Sequence, residues 1–441
     1  MPSATRPPLL GTRAPILDAN RTPPGYPDTL ARDLDTDEQK AHYDAIFTGV
    51  TPPFAFVDLD AMRANAQAML AQAGGLPIRI ASKSVRSTAV LRRILELDPG
   101  FRGVMAFTAP EALHLASQGF EDILVAYPTV DRGAIAKVAR LTAEDPARGP
   151  VLMVDDRPHL DLIEGSVGGG PAGVRVCLDV DAGWWPLGGR VARVGPKRSP
   201  VHEPRRAAQM AAEVAERPGT ELAGLMAYEG QIAGVGDDAS GHPVRNAAIR
   251  GMQTASEREL RGRLPAVVDA VSQTLAEHDA PPLGFVNGGG TGSLARTAAS
   301  GVVTELTAGS GFYAPTLFDS YRSLDLTPAA VFCLSVVRRP VGGVATLLGG
   351  GYVASGAGGP ESLPQPYLPG GLRFDRQEGA GEVQTPVTGA AAYSLRVADK
   401  VYLRHAKAGE LCERFDRLYL VEGNGIVDEV PTYRGEGLTF L

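Results

Sequence analysis

The feature that most constrains this sequence is a repeated alternation of short apolar segments and segments with helical spacing between residues 54 and 306. Short apolar runs bounded by turn residues are typical of buried parallel strands, and the 3.6-residue period between them is typical of crossover helices. The predicted strands are residues 54–60, 78–82, 103–107, 123–126, 151–154, 174–178, 222–227, 283–286 and 302–306. About eight strands joined by helices predict an α/β protein with a parallel (β/α)8 barrel, and a doubly wound open sheet is the alternative.

The pattern changes after residue 320. Helical spacing gives way to short β-rich segments separated by Gly and Pro clusters, at residues 330–337, 344–348, 383–387, 400–403, 418–421 and 426–430. This pattern is typical of an all-β domain. Before the alternation, residues 30–47 predict a charged helix that Asp28 and Thr29 would begin. The predicted organisation is an N-terminal arm (1–49), an α/β barrel (50–320) and a C-terminal all-β domain (321–441).

Composition excludes several classes of protein. The 441 residues carry a net charge of −7, which argues against a nucleic-acid surface. Apolar runs fall short of the ~18 residues that a membrane span needs, and residues 1–8 lack the apolar core of a signal peptide. The three cysteines, Cys177, Cys333 and Cys412, are too scattered for a disulfide framework. We therefore expect a cytoplasmic protein with neither a nucleic-acid nor a membrane partner.

Lys83 ends the second predicted strand, in the run RIASKSVR (79–86). Barrel enzymes place their chemistry at the carboxyl ends of the strands. Lysine amines form Schiff bases with carbonyl compounds, and burial lowers their pKa enough to make them nucleophilic. Position alone leaves the alternative of a solvated surface lysine.

Two glycine-rich segments follow the last two predicted strands, NGGGTGS at 287–293 and AGSGFY at 308–313. Glycine lets backbone N–H groups converge on an anion, and barrels often bind phosphate in the loops after their last strands. Two tight turns are the alternative. The first segment has Ser293 where a dinucleotide fingerprint needs its third glycine, so neither NAD nor ATP is supported. The candidate phosphate contacts are Gly289, Gly290, Thr291, Ser310 and Gly311.

An amine for an aldehyde, together with an anion site for a phosphate, is what pyridoxal 5'-phosphate requires. With these features the sequence resembles the barrel-fold (fold type III, alanine racemase-like) pyridoxal-phosphate enzymes. It is most similar to the branch of D-threonine aldolase and D-serine dehydratase, which includes amino acid deaminase/aldolase chains. The resemblance rests on the barrel opening at 51–60, the Lys83 run, VTE at 303–305 leading into Gly309 and Tyr313, and His405 followed by DRLYLV at 416–421.

The resemblance implies roles for individual residues. Lys83 would bind the cofactor aldehyde, the two glycine loops its phosphate, and Tyr313 would contribute to the same site. Arg193 resembles the arginine that approaches the pyridoxal ring. Because WWP at 184–186 interrupts the usual pattern, Arg190 or Arg198 could serve instead.

Tyr228, at the end of a predicted strand, falls where the family places ring or substrate contacts. A half-buried structural aromatic is the alternative for that position.

The branch also holds a divalent metal beside the substrate hydroxyl, with a histidine and, two positions on, a cysteine or aspartate. Here His405 is kept and Lys407 occupies the second ligand position. A cationic lysine repels a divalent ion, so we expect this metal site to be lost. The alternative is a rearranged site in which Glu410 or Cys412 binds the metal together with His405. His405 and Lys407 are then candidate catalytic residues that handle the hydroxyl by hydrogen bonding and proton transfer.

The resemblance implies a lyase that cleaves a β-hydroxy-α-amino acid by a retro-aldol reaction through a Lys83 Schiff base. A D-serine dehydratase-like deaminase, an amino acid racemase and a non-catalytic pyridoxal-phosphate-binding protein are the alternatives, and the large β-domain argues against the last. Besides the small-molecule amino acid substrate, we expect a homodimer, because relatives close the barrel mouth with the partner's β-domain.

Overall fold

The computed structural model describes residues 36–167, 173–356 and 358–441. In them the strands are β1 (Phe54–Asp58), β2 (Ile78–Ala81), β3 (Phe101–Ala106), β4 (Ile123–Val125), β5 (Leu152–Val154), β6 (Val174–Asp179), β7 (Thr220–Ala227), β8 (Phe285–Gly288), β9 (Glu305–Ala308), β10 (Ala330–Arg338), β11 (Val344–Leu348), β12 (Gln365–Leu368), β13 (Leu372–Phe374), β14 (Gln384–Gly389), β15 (Lys400–Arg404), β16 (Arg417–Glu422) and β17 (Gly425–Pro431). The α-helices are α1 (Thr36–Ile46), α2 (Leu59–Ala73), α3 (Thr88–Leu97), α4 (Ala109–Ser117), α5 (Arg132–Glu144), α6 (Arg157–Val167), α7 (Pro204–Ala215), α8 (Gly230–Ala233), α9 (Pro243–Glu277) and α10 (Leu294–Ala298). The helix predicted at 30–47 is seen as α1, while its predicted start at Asp28 and Thr29 lies outside the described residues.

Strands β2 to β9 form the predicted parallel barrel. Their order in the sheet is β4-β3-β2-β9-β8-β7-β6-β5. The two outer strands meet through a parallel bridge between Leu124 and Val151, and the Val151 N–H donates to the Ile123 carbonyl at 2.8 Å. The sheet therefore closes, which excludes the doubly wound alternative. Because both faces of such strands are covered, their sequences read as continuous apolar runs.

The second sheet is mostly antiparallel and belongs to the C-terminal β-domain. Its order is β13-β14-β11-β10-β1-β16-β17, and β15 pairs with both β10 and β12. All six predicted C-terminal segments form strands. The short strands β12 and β13 were not predicted, because they are only four and three residues long and lie among Gly and Pro.

The first predicted strand forms, but the structure corrects its place. β1 lies in the β-domain sheet, antiparallel to β10 and parallel to β16. Phe56 of β1 pairs with Val331 of β10 and with Tyr419 of β16. Every residue of β1 is buried, so its sequence suits a strand covered on both faces in either sheet. Lys83 therefore follows the first barrel strand, β2, and not the second.

The described part of the N-terminal arm packs on the β-domain. The Tyr43 hydroxyl of α1 donates to Asp58 Oδ2 at 2.8 Å, and the Tyr402 hydroxyl of β15 donates to Asp44 Oδ1 at 2.9 Å. The Phe47 and Phe54 rings are 4.5 Å apart between centroids. These contacts join α1, β1 and β15 into one aromatic cluster.

A polar layer crosses the barrel interior. Arg79, only 2% exposed, donates to both carboxylate oxygens of Glu305 at 2.8 and 2.9 Å. Asn287 donates to Glu305 Oε1 and to Thr307 Oγ1, each at 2.8 Å. Buried polar groups that are paired in this way hold β2, β8 and β9 in one arrangement.

Within residues 36–167, 173–356 and 358–441, no helix is both long enough and apolar enough to cross a membrane.

Candidate active site

A cavity of ≈ 200 Å³ opens at the carboxyl ends of the barrel strands. Its polar lining comes from the ends of β2, β4, β7, β8 and β9 and from one loop, and it comprises Lys83, Ser84, Tyr127, Arg198, Tyr228, Asn287, Thr291, Thr307 and Ser310. Its apolar wall includes Met105, Phe107, Met226, Leu317 and Phe318. The predicted residues that this cavity brings together are Lys83, Tyr228, Gly289, Gly290, Thr291 and Ser310.

Lys83 reaches the cavity from a 3-10 turn, Ser82–Ser84, that follows β2 directly. Its Nζ lies 3.3 Å from the Tyr127 hydroxyl. Tyr127 comes just after β4, so the ends of β2 and β4, which lie on either side of β3, bring an amine and a phenol together. Lys83 is exposed to the cavity opening, which leaves the amine accessible to a ligand.

The two glycine loops form one rim of the cavity, which we call the glycine cup (residues 289–291 and 309–310). Gly289 has φ +83°, a left-handed conformation that favours glycine. A Cβ on Gly309 would lie 2.6 Å from the Ala81 carbonyl, and one on Gly290 would lie 3.0 Å from Ala233 Cβ. Thr291 and Ser310 begin short 3-10 turns, so their N–H groups have no acceptor within the turn.

A buried carboxylate holds the cup from behind. Glu229, 2% exposed, accepts from the Gly289 N–H at 3.2 Å and from Ser293 Oγ at 2.6 Å, and Thr297 Oγ1 also donates to it. The same carboxylate therefore orders both the strand end and the turn that follows it. The N–H groups of Gly289 and Gly290 are both used within the protein, because the Gly290 N–H donates to Ser293 Oγ at 3.1 Å. The donors of the glycine cup that remain for an anion are therefore those of Thr291 and Ser310.

Arg198 and not Arg193 lines the cavity. The Arg198 guanidinium lies 5.3 Å from the ring centroids of both Tyr127 and Tyr228, between the two rings. Arg193 instead stacks on Trp185 at 4.1 Å, outside the lining. Of the three arginines that the sequence analysis considered, Arg190, Arg193 and Arg198, the structure therefore brings Arg198 to the cavity.

Two groups beside Arg198 have shifted pKa values. Burial, with a smaller contribution from Glu229, raises the pKa of Tyr228 to about 12. Burial, followed by the charge of Asp155, raises the pKa of Asp179 to about 7, while Arg198 opposes this rise. Tyr228 therefore acts as a neutral hydrogen-bonding group at physiological pH.

Two other predicted residues support the site from outside the lining. The Gly311 N–H donates to Thr291 Oγ1 at 3.2 Å, which joins the two glycine loops. Tyr313 is fully buried, and its hydroxyl donates to the Val85 carbonyl at 3.0 Å.

His405 and Lys407 lie in the β-domain and do not line the cavity. His405 is 3% exposed; its Nδ1 lies 3.2 Å from the Ala330 carbonyl, and its Nε2 has no partner in the described part of the chain. Lys407 Nζ donates to the Ser355 carbonyl at 2.8 Å. A single chain does not bring these two side chains into the cavity beside the Lys83 amine, so their catalytic roles stay predictions.

The described residues contain no group of three or more His, Cys, Asp or Glu side chains arranged to hold a metal ion. Cys412, an alternative ligand, is buried with its Sγ 3.3 Å from the Val85 carbonyl. Glu410 accepts from the Ser355 N–H at 3.1 Å.

His405 leads to a prediction about acid stability. Burial, aided by the charge of Arg404, lowers its pKa from 6.5 to about 3. Between these two values the unfolded chain binds a proton at this ring and the folded chain does not, so the free energy of unfolding falls as pH drops through this window. The slope from this group reaches about 1.4 kcal/mol per pH unit, and above pH 6.5 it vanishes.

We expect His405→Phe to lose less stability than the wild type between pH 7 and pH 4.5, with urea unfolding as the measurement. Parallel pH dependences of the two proteins would contradict the assignment.

The cavity residues that the sequence analysis missed are chiefly Tyr127, Asn287 and Thr307. All three stand at or next to the carboxyl end of a barrel strand. The rule that singled out Lys83 would therefore have found them, had it been applied to every strand end.

The fold and the cavity define a class of protein: a parallel barrel with a lysine after its first strand, a glycine cup after its last two, and a β-domain joined to it. Residues 57–281 match the family described as alanine racemase, N-terminal domain, and the chain belongs to this family.

Relatives with known names are similar over part of the chain. The D-threonine aldolase of Arthrobacter sp is 27% identical over 269 residues, and the 3-hydroxy-D-aspartate aldolase of Paracoccus denitrificans (strain Pd 1222) is 28% identical over 269 residues. Each match covers 59% of this chain and 60% of the relative, so the chain spans about 60% of the length of these relatives. The crystal structure of D-threonine aldolase from Filomicrobium marinum has a TM-score of 0.69 at 22% identity, over 88% of this chain and 96% of that one. At this identity the likeness concerns the fold.

Proposed function

We propose that this protein is a pyridoxal-phosphate-dependent lyase that cleaves D-configured β-hydroxy-α-amino acids into an aldehyde and a smaller amino acid. The observation that carries the proposal is the meeting of the Lys83 amine and the glycine cup in one cavity. The names of the two similar aldolases support the reaction and the configuration.

The residues present fit pyridoxal phosphate. The cup lines the cavity with Thr291 and Ser310, which offer N–H groups and hydroxyls, while a side chain on Gly309 would collide with the Ala81 carbonyl and one on Gly290 would be tightly packed. Backbone N–H groups of this kind suit a phosphate. Lys83 would provide the amine for its aldehyde, and Tyr228 and Arg198, which line the same cavity, would contact the group between them.

When bound, the cofactor supplies an electron sink for the pair released as the Cα–Cβ bond breaks. As a free amine, Lys83 Nζ would take the proton of the β-hydroxyl, with Tyr127 Oη 3.3 Å away to share it. Arg198 is a cation that can hold the substrate carboxylate or a cofactor oxygen. The apolar wall, including Phe107 and Phe318, excludes water from the reacting atoms.

A product assay tests the proposal. The purified protein, supplied with pyridoxal phosphate, is incubated with D- and L-threonine and with D- and L-serine. Glycine plus acetaldehyde from D-threonine supports the lyase. A keto acid plus ammonia would indicate dehydration, an inverted amino acid would indicate racemisation, and no product with any of the four would contradict all three enzymes.

We also propose a homodimer. Lys83 and Arg198 are exposed, and the loops after β4 and β6, which carry the lining residues Tyr127 and Arg198, also expose apolar side chains: Val130 by 79%, Leu187 by 78% and Val191 by 71%. A second copy would cover them and keep water from the site. We expect sedimentation to give a dimer at assay concentration, and a fully active monomer would contradict this.

The expected cytoplasmic location also stays a proposal. Cys177, Cys333 and Cys412 are free and buried, which suits a reducing compartment. Titration of the unfolded protein from its native host should find all three thiols reduced.

A further inference from the structure

Lys83 belongs to a short turn, residues 82–86, that ends in an unusual backbone conformation. The N–H groups of Val85 and Arg86 both donate to the Ser82 carbonyl, at 2.8 and 2.9 Å. Arg86 has φ +50°, in the left-handed region that residues other than glycine rarely adopt. Such a conformation persists only where surrounding contacts hold it.

The side chain of Arg86 supplies part of this support. Its Nε donates to the Lys83 carbonyl at 2.9 Å, and its Nη1 pairs with the carboxylate of Glu413. Its guanidinium also lies 5.3 Å from the ring centroid of Phe107, which lines the cavity. Arg86 therefore connects the backbone of Lys83 to a carboxylate of the β-domain.

Further β-domain groups bind the same turn. The Tyr433 N–H donates to the Arg86 carbonyl at 2.9 Å, and Cys412 Sγ lies 3.3 Å from the Val85 carbonyl. Gly409, at φ +92°, packs so closely that a Cβ there would collide with the Lys83 carbonyl. The turn is thus held by the barrel on one side and by the β-domain of the same chain on the other.

We propose that Arg86, fixed by Glu413, is a positioning residue that sets where the Lys83 amine points in the cavity. The inference rests on the cofactor role proposed for Lys83. Arg86 and Glu413 do not line the cavity, so they act through the turn and not on substrate. In this arrangement the β-domain controls the reactivity of a lysine that the barrel carries.

The test compares the holoproteins of wild type, Glu413→Ala and Glu413→Gln. Two properties are measured: the rate at which borohydride fixes the cofactor to the Lys83 peptide, and the pH midpoint of the visible absorbance. We expect Glu413→Ala to change the fixation rate about tenfold, equivalent to about 1.4 kcal/mol, and to shift the midpoint. Glu413→Gln keeps an acceptor for Arg86 and should fall between the two.

A matched control uses another ion pair between barrel and β-domain. Arg93 of α3 and Asp428 of β17 are 2.8 Å apart, and Asp428→Asn should leave both properties unchanged. If the Glu413 variants lower only the melting temperature and keep wild-type fixation rates and midpoints, the positioning role is wrong while the proposed function stands. If wild type itself shows no label at Lys83, the proposed function fails, and the inference fails with it.

Discussion

Lys83→Ala is expected to abolish both the visible absorbance of the cofactor-loaded protein and the cleavage of β-hydroxy amino acids, with a loss of roughly 10³-fold or more in kcat/KM. Lys83 lines the cavity with its Nζ beside Tyr127, and in the proposed mechanism this amine both binds the aldehyde and acts as the base. Lys83→Arg should lose the absorbance and the activity as completely, because a guanidinium stays protonated and does not condense with an aldehyde. Absorbance spectra and steady-state kinetics measure both losses.

Lys137 provides the control for Lys83. It is an exposed lysine on α5, away from the cavity lining, and Lys137→Ala should keep wild-type spectra and rates. A Lys83→Ala protein that retained a borohydride-stable cofactor on another lysine would overturn the assignment.

Much of the architecture could be predicted because the barrel's physical requirements repeat along the chain. Each buried strand reads as an apolar run, and each turn at its carboxyl end carries Gly or a polar residue. Lys83 and the glycine cup were found by this repetition alone. Their meeting in one cavity follows from the barrel topology, which brings β2 next to β9 and β9 next to β8.

What could not be predicted depends on contacts between distant segments. β1 is apolar enough for either sheet, and only its pairing with β10 and β16 determines that it belongs to the β-domain sheet. The local sequence around His405 does not reveal that the ring is buried behind Tyr313, with the two ring centroids 6.3 Å apart. The strain at Arg86 and its support by Glu413, which is 327 positions further along the chain, are invisible for the same reason.

Arg198 and Arg193 form a natural pair for the last prediction, since sequence similarity pointed to Arg193 and the structure brings Arg198 to the cavity. Arg198 lines the cavity, and its guanidinium lies 5.3 Å from the ring centroids of both Tyr127 and Tyr228, within range of cation–π attraction. Hydrogen bonds between charged groups contribute about 1.5–3 kcal/mol. We therefore expect Arg198→Ala to lower kcat/KM by roughly 10- to 100-fold. Arg198→Lys should recover part of this, because it restores the charge without the bidentate geometry.

The kcat/KM of Arg193→Ala should stay within about twofold of wild type, because the main contact of Arg193 is the stack on Trp185 outside the cavity.

The two arginines also differ in their effect on Asp179. The pKa of Asp179 is about 7, and the charge of Arg198 keeps it from rising further. Removing Arg198 should raise that pKa, so that any limb of the pH–rate profile that depends on Asp179 moves to higher pH, while Arg193→Ala leaves it in place. A larger loss in Arg193→Ala than in Arg198→Ala would show that Arg193 is the arginine that acts in the site and that the cavity changes when the ligand binds.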